Sequence, residues 1–433
     1  MLIGIVGKPS VGKSTFFKSM TLADIEIANY PFTTIKPNTG AGYVKIKDIA
    51  QDFGKPSNPR EGYVLGEYRF VPVELLDVAG LVPGAHEGKG LGNKFLDDLN
   101  QANALIHVID ISGSTNEKGE PVEPLSYNPA EDIKFLEVEL DMWFLGILKK
   151  GWDKFSRTIK YGGGSVVQPL AKQLSGLRVT ESMVKDVIRD YSDDPTTWNE
   201  QDMMKLASAL RKKAKPMIIA ANKLDIPGAL ENLSRLKEEF PDYLIIGCSS
   251  ESELALKEAA KKNLISYVPG SGDFKINGEL SSDQEKALKF IRENSLPTGV
   301  QKILDTVVFD ILDRIAVHPG GVGKLEDSDG NTIPDCYIMK EGSTALDFAF
   351  SIHTDIGLKC RGVKVNGKLV PLSYELASGD QIEVYTTANN KPNARWLDFV
   401  ITARARTKIK TALKDQEKKI AEEGKAILAR KLR

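Results

Sequence analysis

Apolar residues in the first two thirds of the chain come in short runs that stop abruptly at polar positions. Leu2–Val6 is one such run, 69–80 (RFVPVELLDVAG) another, followed by 104–112 (ALIHVIDIS), 215–228 (KPMIIAANKLDIPG) and 244–256 (LIIGCSSESELAL). Runs of this length bounded by Gly, Asp or Asn predict buried strands. Between them the spacing turns helical: the stretch from Lys13 (KSTFFKSMTLA) predicts a helix. From 129 to 210, apolar positions at i, i+3 and i+4 predict an inserted helical hairpin, with Asn199 as a helix cap. An amphipathic helix is predicted over 296–317. The period then changes again, to a strand at 335–340, a short helix opened by Ser343 and Thr344, and three strands turning at Asn366-Gly367 and Gly379-Asp380. That last stretch predicts a compact ubiquitin-like domain.

The strand ends carry the candidate chemistry. Residues 7–15 (GKPSVGKST) fit G-x-x-x-x-G-K-[ST] between a strand and a helix, so Gly7, Ser10, Val11, Gly12, Lys13, Ser14 and Thr15 are candidate phosphate ligands. In such a loop the backbone N–H groups face the phosphates. The lysine adds charge on the outer ones, and the Ser14 hydroxyl ligates Mg2+. Asp77 opens a D-x-x-G pattern in which the carboxylate holds the metal through water and the Gly80 N–H senses the terminal phosphate. Between these, 29–40 (NYPFTTIKPNTG) reads as a switch loop offering Thr33 and Thr34 to the metal and phosphate. Lys13, Thr34 and Gly80 are the catalytic candidates, and Ser14, Thr34 and Asp77 the metal candidates. Leu81 occupies the position where a water-orienting glutamine is expected, which leaves another group or a partner to place the water.

Asn222, Lys223 and Asp225 form N-K-x-D, a guanine-reading pattern. The aspartate accepts from guanine N1–H and N2–H2, donors that adenine does not offer in that arrangement. The lysine stem stacks on the base, and the asparagine ties this loop to the phosphate loop. Ser249, Ser250 and Glu251 stand where a supporting turn is expected, with the Ser250 N–H directed at guanine O6. The boxes in this order predict an α/β GTP-binding domain. His107 reads as a core residue and His353 as a surface or packing one.

Composition adds less. The 433 residues are 41% hydrophobic and 27% charged, and no apolar run approaches the roughly 18 residues of a membrane span. The N-terminus shows no signal peptide, and Cys248, Cys336 and Cys360 match no metal or disulfide pattern, so a cytoplasmic monomer without disulfide partners is expected. The net charge of −1 hides a basic tail: 388–433 holds 13 Lys or Arg against five Asp or Glu. Trp396, Phe399, Arg404, Arg406, Lys408 and Lys410 suggest base stacking and phosphate neutralisation on RNA; a solvated basic helix is the alternative.

The pieces NYPFTTIKPN, DVAGLVPGAHEGKGLGNKFL, the helical insert, LPTGVQ followed by VFDIL and IAV, and the trailing small domain together resemble the Obg-like GTPases, in their YchF-related branch. The small domain resembles a TGS domain, and ARWLDFVITARARTKIK resembles the segment C-terminal to TGS domains in stringent-response enzymes. The resemblance implies a P-loop GTPase domain over 1–275 with the insert at 129–210, a helical connection over 276–330, a TGS domain over 331–388 and a basic helix over 389–433. It further implies Mg2+-dependent GTP or GDP binding, slow hydrolysis, and ribosome or RNA partners reached through the TGS domain, insert and tail. Some YchF relatives prefer ATP; the retained Asp225 favours GTP. Ser10 replaces an asparagine tied to potassium stimulation, which leaves a K+ requirement open. An RNA-binding adaptor with a structural nucleotide is the competing reading. Thr34 matches the family's switch position better than Thr33.

Overall fold

The computed structural model describes residues 1–22, 38–78, 92–162, 164–323, 325–388 and 390–431. They form two compact units. The first comprises Met1–Val44 and Pro72–Leu312, the second Lys45–Val71 and Asp313–Arg433.

In chain order the first unit starts with β1 (Leu2–Val6), α1 (Lys13–Thr21) and β2 (Thr39–Lys47). The chain then passes through residues 45–71 of the second unit, with the short strand β3 (Tyr63–Leu65) and the start of β4 (Tyr68–Asp77), and returns with the rest of β4, α2 (Gly92–Gln101) and β5 (Ala104–Asp110). The helices of the insert are α3 (Ala130–Lys149), α4 (Trp152–Gly162), α5 (Val167–Gln173), α6 (Glu181–Val187) and α7 (Glu200–Ala214). The chain then returns through β6 (Met217–Asn222), α8 (Ala229–Glu239), β7 (Ile245–Gly247) and α9 (Ser250–Lys261). A small hairpin of β8 (Ile265–Ser266) and β9 (Lys275–Ile276), then α10 (Ser282–Asn294) and α11 (Val300–Thr306), complete the unit.

The main sheet runs β2-β4-β1-β5-β6-β7, with β3 beside β4. From β4 to β7 the neighbours are parallel. Strands buried on both faces explain the unbroken apolar runs: every residue of β5 and β6 is buried. Register brings polar strand ends onto one edge, with Asp77 opposite Ile5 and Asp110 opposite Asn222. Ligands of parallel α/β sheets bind at that carboxyl edge.

Two readings need correction. The insert is more than a hairpin: α3 and α7 pack as its legs, but α4, α5 and α6 close a separate core around Leu170, Leu174, Leu177, Val184 and Trp198. The expected helix over 296–317 is likewise shorter. Helix α11 passes into one π turn over Val307–Ile311, Asp313 takes a left-handed φ of 48°, and Arg314–Pro319 is a strand, β10. Ile315 and Val317 pair there with Met339 and Tyr337, a long-range ladder that overrides the local helical period.

Helix α2 ends against the insert. Lys215 Nζ donates to the carbonyls of Asn100 and Ala102, both at 2.8 Å, and Arg178 donates to Gln101 O at 2.7 Å. Three consecutive carbonyls at a helix C-terminus thus meet two cations, as the macrodipole favours.

The second unit is built on β10 with β11 (Tyr337–Lys340), α12 (Ala345–Ile352), α13 (Thr354–Leu358), β12 (Cys360–Val365), β13 (Lys368–Val370) and β14 (Gln381–Thr386). Its sheet order is β11-β10-β14-β12-β13, and Thr344 caps α12 in a reciprocal capping box with Asp347. The final helix is α14 (Ala403–Lys431). Lys45–Val71, inside the span expected for the GTP-binding domain, belong to this unit. Buried Arg69 donates to the carbonyls of Ile333 and Pro334 at 2.6 and 2.7 Å, and Arg60 bridges Asp327 and Asp335. Trp396 is buried in the unit's core and Phe399 packs against it. Burial takes the Trp396 ring out of reach of a base, which corrects that part of the expected stacking, while Phe399 stays half-buried and Lys408 and Lys410 are exposed. His353 is exposed at the junction of α12 and α13, capping the latter. His107 is buried in β5, where burial and nearby Lys8 hold its imidazole down to about 3. The three cysteines are free. No helix among the described residues is long and apolar enough to cross a membrane.

Candidate nucleotide site

The phosphate loop comes directly after β1. Val11 is buried, Ser10 and Ser14 are exposed, and Ser10 takes a left-handed φ of 64°. Gly12 caps α1 at φ 89°, and a Cβ there would sit 2.3 Å from Asn222 Nδ2, so backbone conformation and space both require glycine. Helix α1 has no acidic residue in its first turn. Its N–H groups therefore present an uncompensated positive end to an anion. Lys13 Nζ rests 2.8 Å from Asp77 Oδ1 and also donates to Val78 O. The structure thus brings together Lys13 and Asp77, the charge for a terminal phosphate and the carboxylate for a metal. Ser14 hydroxyl and Asp77 carboxylate are hard oxygen donors. Mg2+ takes one or two of these from a protein and fills its octahedron with phosphates and water, so the set fits that ion. Thr33, Thr34, Gly80 and Leu81 lie outside the described residues.

The base-reading end is wired more densely. Asn222 Nδ2 donates to Val11 O at 2.8 Å, tying this loop to the phosphate loop as the sequence predicts. Asn222 Oδ1 accepts from the Ser250 N–H at 3.0 Å and from its hydroxyl at 2.5 Å. This overturns the role assigned to the Ser250 N–H, since a donor committed to Asn222 is not free for a base. The Glu251 N–H, next in the first turn of α9, is taken neither by Asn222 nor by the Ser249 cap, which accepts from Ser252 N. Lys223 sits at a left-handed φ of 65°, and its Nζ reaches Asp110 Oδ2 at 2.8 Å. Asp225 is half-buried beside it.

Asp110 is a residue that sequence reasoning passed over. Fully buried, it accepts from the hydroxyls of Ser112, Ser114 and Thr115 as well as from Lys223. Burial pushes its carboxyl upward, but Lys223, Ser112 and Ser114 outweigh that and hold it below the ordinary range. The available signal was an aspartate at a strand end followed by Ser, Gly, Ser and Thr, the same placement that drew attention to Asp77. Lys8, in the phosphate loop itself, was also missed as a paired residue; it meets Asp132 at 2.9 Å.

Comparison with known proteins agrees with this geometry. Residues 2–138 match a family model described as 50S ribosome-binding GTPase. Residues 220–320 match one described as Obg-like GTPase YGR210-like, G4 motif-containing domain, and 325–386 match a TGS domain. An uncharacterized GTP-binding protein of Methanocaldococcus jannaschii is 44% identical over 393 residues, covering 89% of this chain and 99% of that protein. The ribosome-binding ATPase YchF of Bacillus subtilis is 31% identical over 278 residues, covering 60% of this chain and 69% of that protein. Among solved structures, a GTP binding protein from Pyrococcus horikoshii OT3 is similar with a TM-score of 0.70 at 37% identity, covering 89% of this chain and 100% of that one. Nucleotide-loop geometry, guanine-reading sequence and these similarities converge: the chain belongs to the Obg-like, YchF-related GTP-binding proteins that carry a C-terminal TGS domain.

Proposed function

We propose that the protein is a GTP-selective switch with slow hydrolysis, acting on ribosomes or translation-related RNA. The observation that carries the nucleotide half is Asn222, whose one side chain binds Val11 O and the Ser250 N–H together. That arrangement sets N-K-x-D against the phosphate loop before any base arrives. Asp225 then accepts from guanine N1–H and N2–H2, the Lys223 stem covers the ring face, and the Glu251 N–H meets O6. Adenine would leave the Asp225 carboxylate without donors, at a cost of about 1–3 kcal/mol.

At the phosphate end, Lys13 leaves Asp77 for the outer phosphates, and Asp77 with Ser14 and Thr34 holds Mg2+, which supplies charge neutralisation on the phosphates. The Gly80 N–H meets the terminal phosphate, and Leu81 has no group to orient water, so intrinsic turnover is slow. Lys408 and Lys410 on α14 support a polyanionic partner by charge alone.

The test is competition of GTP and ATP against a fluorescent GDP analogue. GTP is expected to compete at least tenfold better, and Asp225→Asn to abolish that preference; equal competition by the two triphosphates in the wild type would sink the guanine selectivity, and better competition by ATP would favour an ATP-preferring hydrolase, the reading suggested by the name of the Bacillus relative. Sedimentation with ribosomes in GTP analogue, GDP or no nucleotide separates the switch from an adaptor. The switch co-sediments more with the GTP analogue, and nucleotide-independent binding would establish the adaptor.

A further inference from the structure

Lys8 is the second residue of the phosphate loop, yet its side chain points away from the expected phosphates into the protein. It is 5% exposed. Its Nζ lies 2.9 Å from Asp132 Oδ2, 3.0 Å from Thr115 O and 3.8 Å from the centre of the Tyr127 ring. Tyr127 Oη in turn donates to Asp132 Oδ1 at 3.0 Å. Asp132 belongs to the first turn of α3, the first leg of the helical insert.

The segment joining β5 to α3 lies over the same loop. Gly119 has φ 79°, and a Cβ there would come within 2.7 Å of Pro9 O, so the two backbones are in contact. At its start, Asp110 holds Lys223; farther on, Leu125 packs on Gly228, and Asn128 accepts from Arg235 of α8. One connecting segment therefore touches the phosphate loop, the base-reading loop and the insert.

A buried ammonium is costly unless it is paired, and an apolar side chain would fill this space more cheaply. The phosphate loop binds through backbone N–H groups, so its path sets affinity. A side chain that grips the loop from behind acts on the nucleotide without touching it.

We propose that Lys8 and Asp132 are positioning residues that fix the phosphate-loop backbone to the first turn of the insert, so that nucleotide binding and the insert are coupled. The inference rests on the nucleotide reading above. It extends that reading by naming the joint through which a partner on the insert would alter nucleotide release.

The test uses the full-length protein and three variants, Lys8→Met, Asp132→Leu and the double Lys8→Met/Asp132→Leu. Melting temperature, affinity for a fluorescent GDP analogue and its release rate are measured for each. Each single variant leaves a charge unpaired, so both melt lower and bind about tenfold more weakly. The double variant removes both charges; it recovers the melting temperature while release stays about tenfold faster than wild type. A double variant that regains wild-type affinity along with its stability would overturn the proposal. Hydrogen exchange gives a second readout, including in wild-type protein alone should the variants not fold. GDP is expected to slow exchange in the first turns of α3, and the double variant to lose that protection. Exchange in α3 unmoved by GDP in the wild type would sink the coupling. Wild-type protein that bound neither GDP nor GTP would overturn the nucleotide reading, and this inference with it.

Discussion

Two lysines at the nucleotide site are each paired with an aspartate at the end of a strand, and both distances are 2.8 Å: Lys13 with Asp77 and Lys223 with Asp110. The pairs look alike and are built differently. Asp110 is fully buried and takes three hydroxyls besides the ammonium. Asp77 keeps 22% of its side chain exposed, on the side of the sheet edge where α1 begins. A carboxylate with four side-chain donors cannot leave them without stranding each one, whereas a partly solvated pair exchanges partners at small cost. The difference assigns the tasks. On the proposed function, Asp110 would keep Lys223 in place in every nucleotide state, and Asp77 would be a resting partner that Lys13 gives up when phosphate and metal arrive.

The comparison breaks most plainly at Asp110. Asp110→Asn strands Lys223 and misdirects three hydroxyls, and should cost about 3–5 kcal/mol of unfolding free energy in urea titrations. Near-wild-type stability would mean that the two pairs are equivalent after all. Asp77→Asn should instead leave stability within about 1 kcal/mol of wild type. Its loss falls on Mg2+-dependent hydrolysis, on the order of a hundredfold, or about 3 kcal/mol of transition-state stabilisation. A variant that hydrolyses normally while melting early would reverse the assignment.

Acid titration sharpens the same contrast with a smaller effect. His107 lies on β5 near Asp110, and its imidazole is held down to about 3 by burial, then by Lys8. The native state stays neutral where the unfolded chain takes up a proton near 6.5. The folded form thus binds fewer protons, and stability falls as pH drops from about 6.5 toward 3, by about 2 kcal/mol over the first one and a half units. Asp110 has the opposite chemistry and the same direction: its depressed value gives stability that is full above the ordinary 3.8 and fades as pH falls through the native value. His107→Leu should flatten the upper part of this acid limb and leave the lower part. A wild-type curve flat between pH 5 and 6.5 would show that His107 is protonated in the native state.

The range of each interaction decides what could be read in the sequence. The strand ends at Asp77 and Asn222, and the loops after strands that carry Lys13 and Asp225, were legible because a short apolar run and the polar residues that follow it are neighbours in the chain. The Asn222 link to Val11 was also readable, since the motif carries that geometry. The Ser250 N–H was read as a base donor although it donates to Asn222, because a turn of Ser, Ser and Glu does not reveal which amide the asparagine takes. Asp110 escaped notice because Asp-Ile-Ser-Gly-Ser-Thr reads locally as an ordinary turn, and its lysine partner is 113 residues away. Strand β10 was hidden by a helical period that continued past the helix, and the extra core of the insert by helices too short to stand out from linkers. Trp396 shows the limit from the other side: aromatic and basic residues on one segment suggest stacking, but packing claimed its ring first.

Arg69 carries a consequence for how the chain is made. Its guanidinium is buried against the carbonyls of Ile333 and Pro334, and the Ile333 contact spans 264 residues. During synthesis at roughly 5–20 residues per second, the Arg69 side chain leaves the ribosome about 13–50 seconds before the carbonyls that receive it. For that interval the stretch around it is a completed piece of sequence without a destination, and a chain cut anywhere before Ile333 never supplies one. Maturation of the second unit therefore waits for Ile333 and Pro334 to emerge, and a fragment beginning at Asp313 would be born without the cation that its own backbone is arranged to receive.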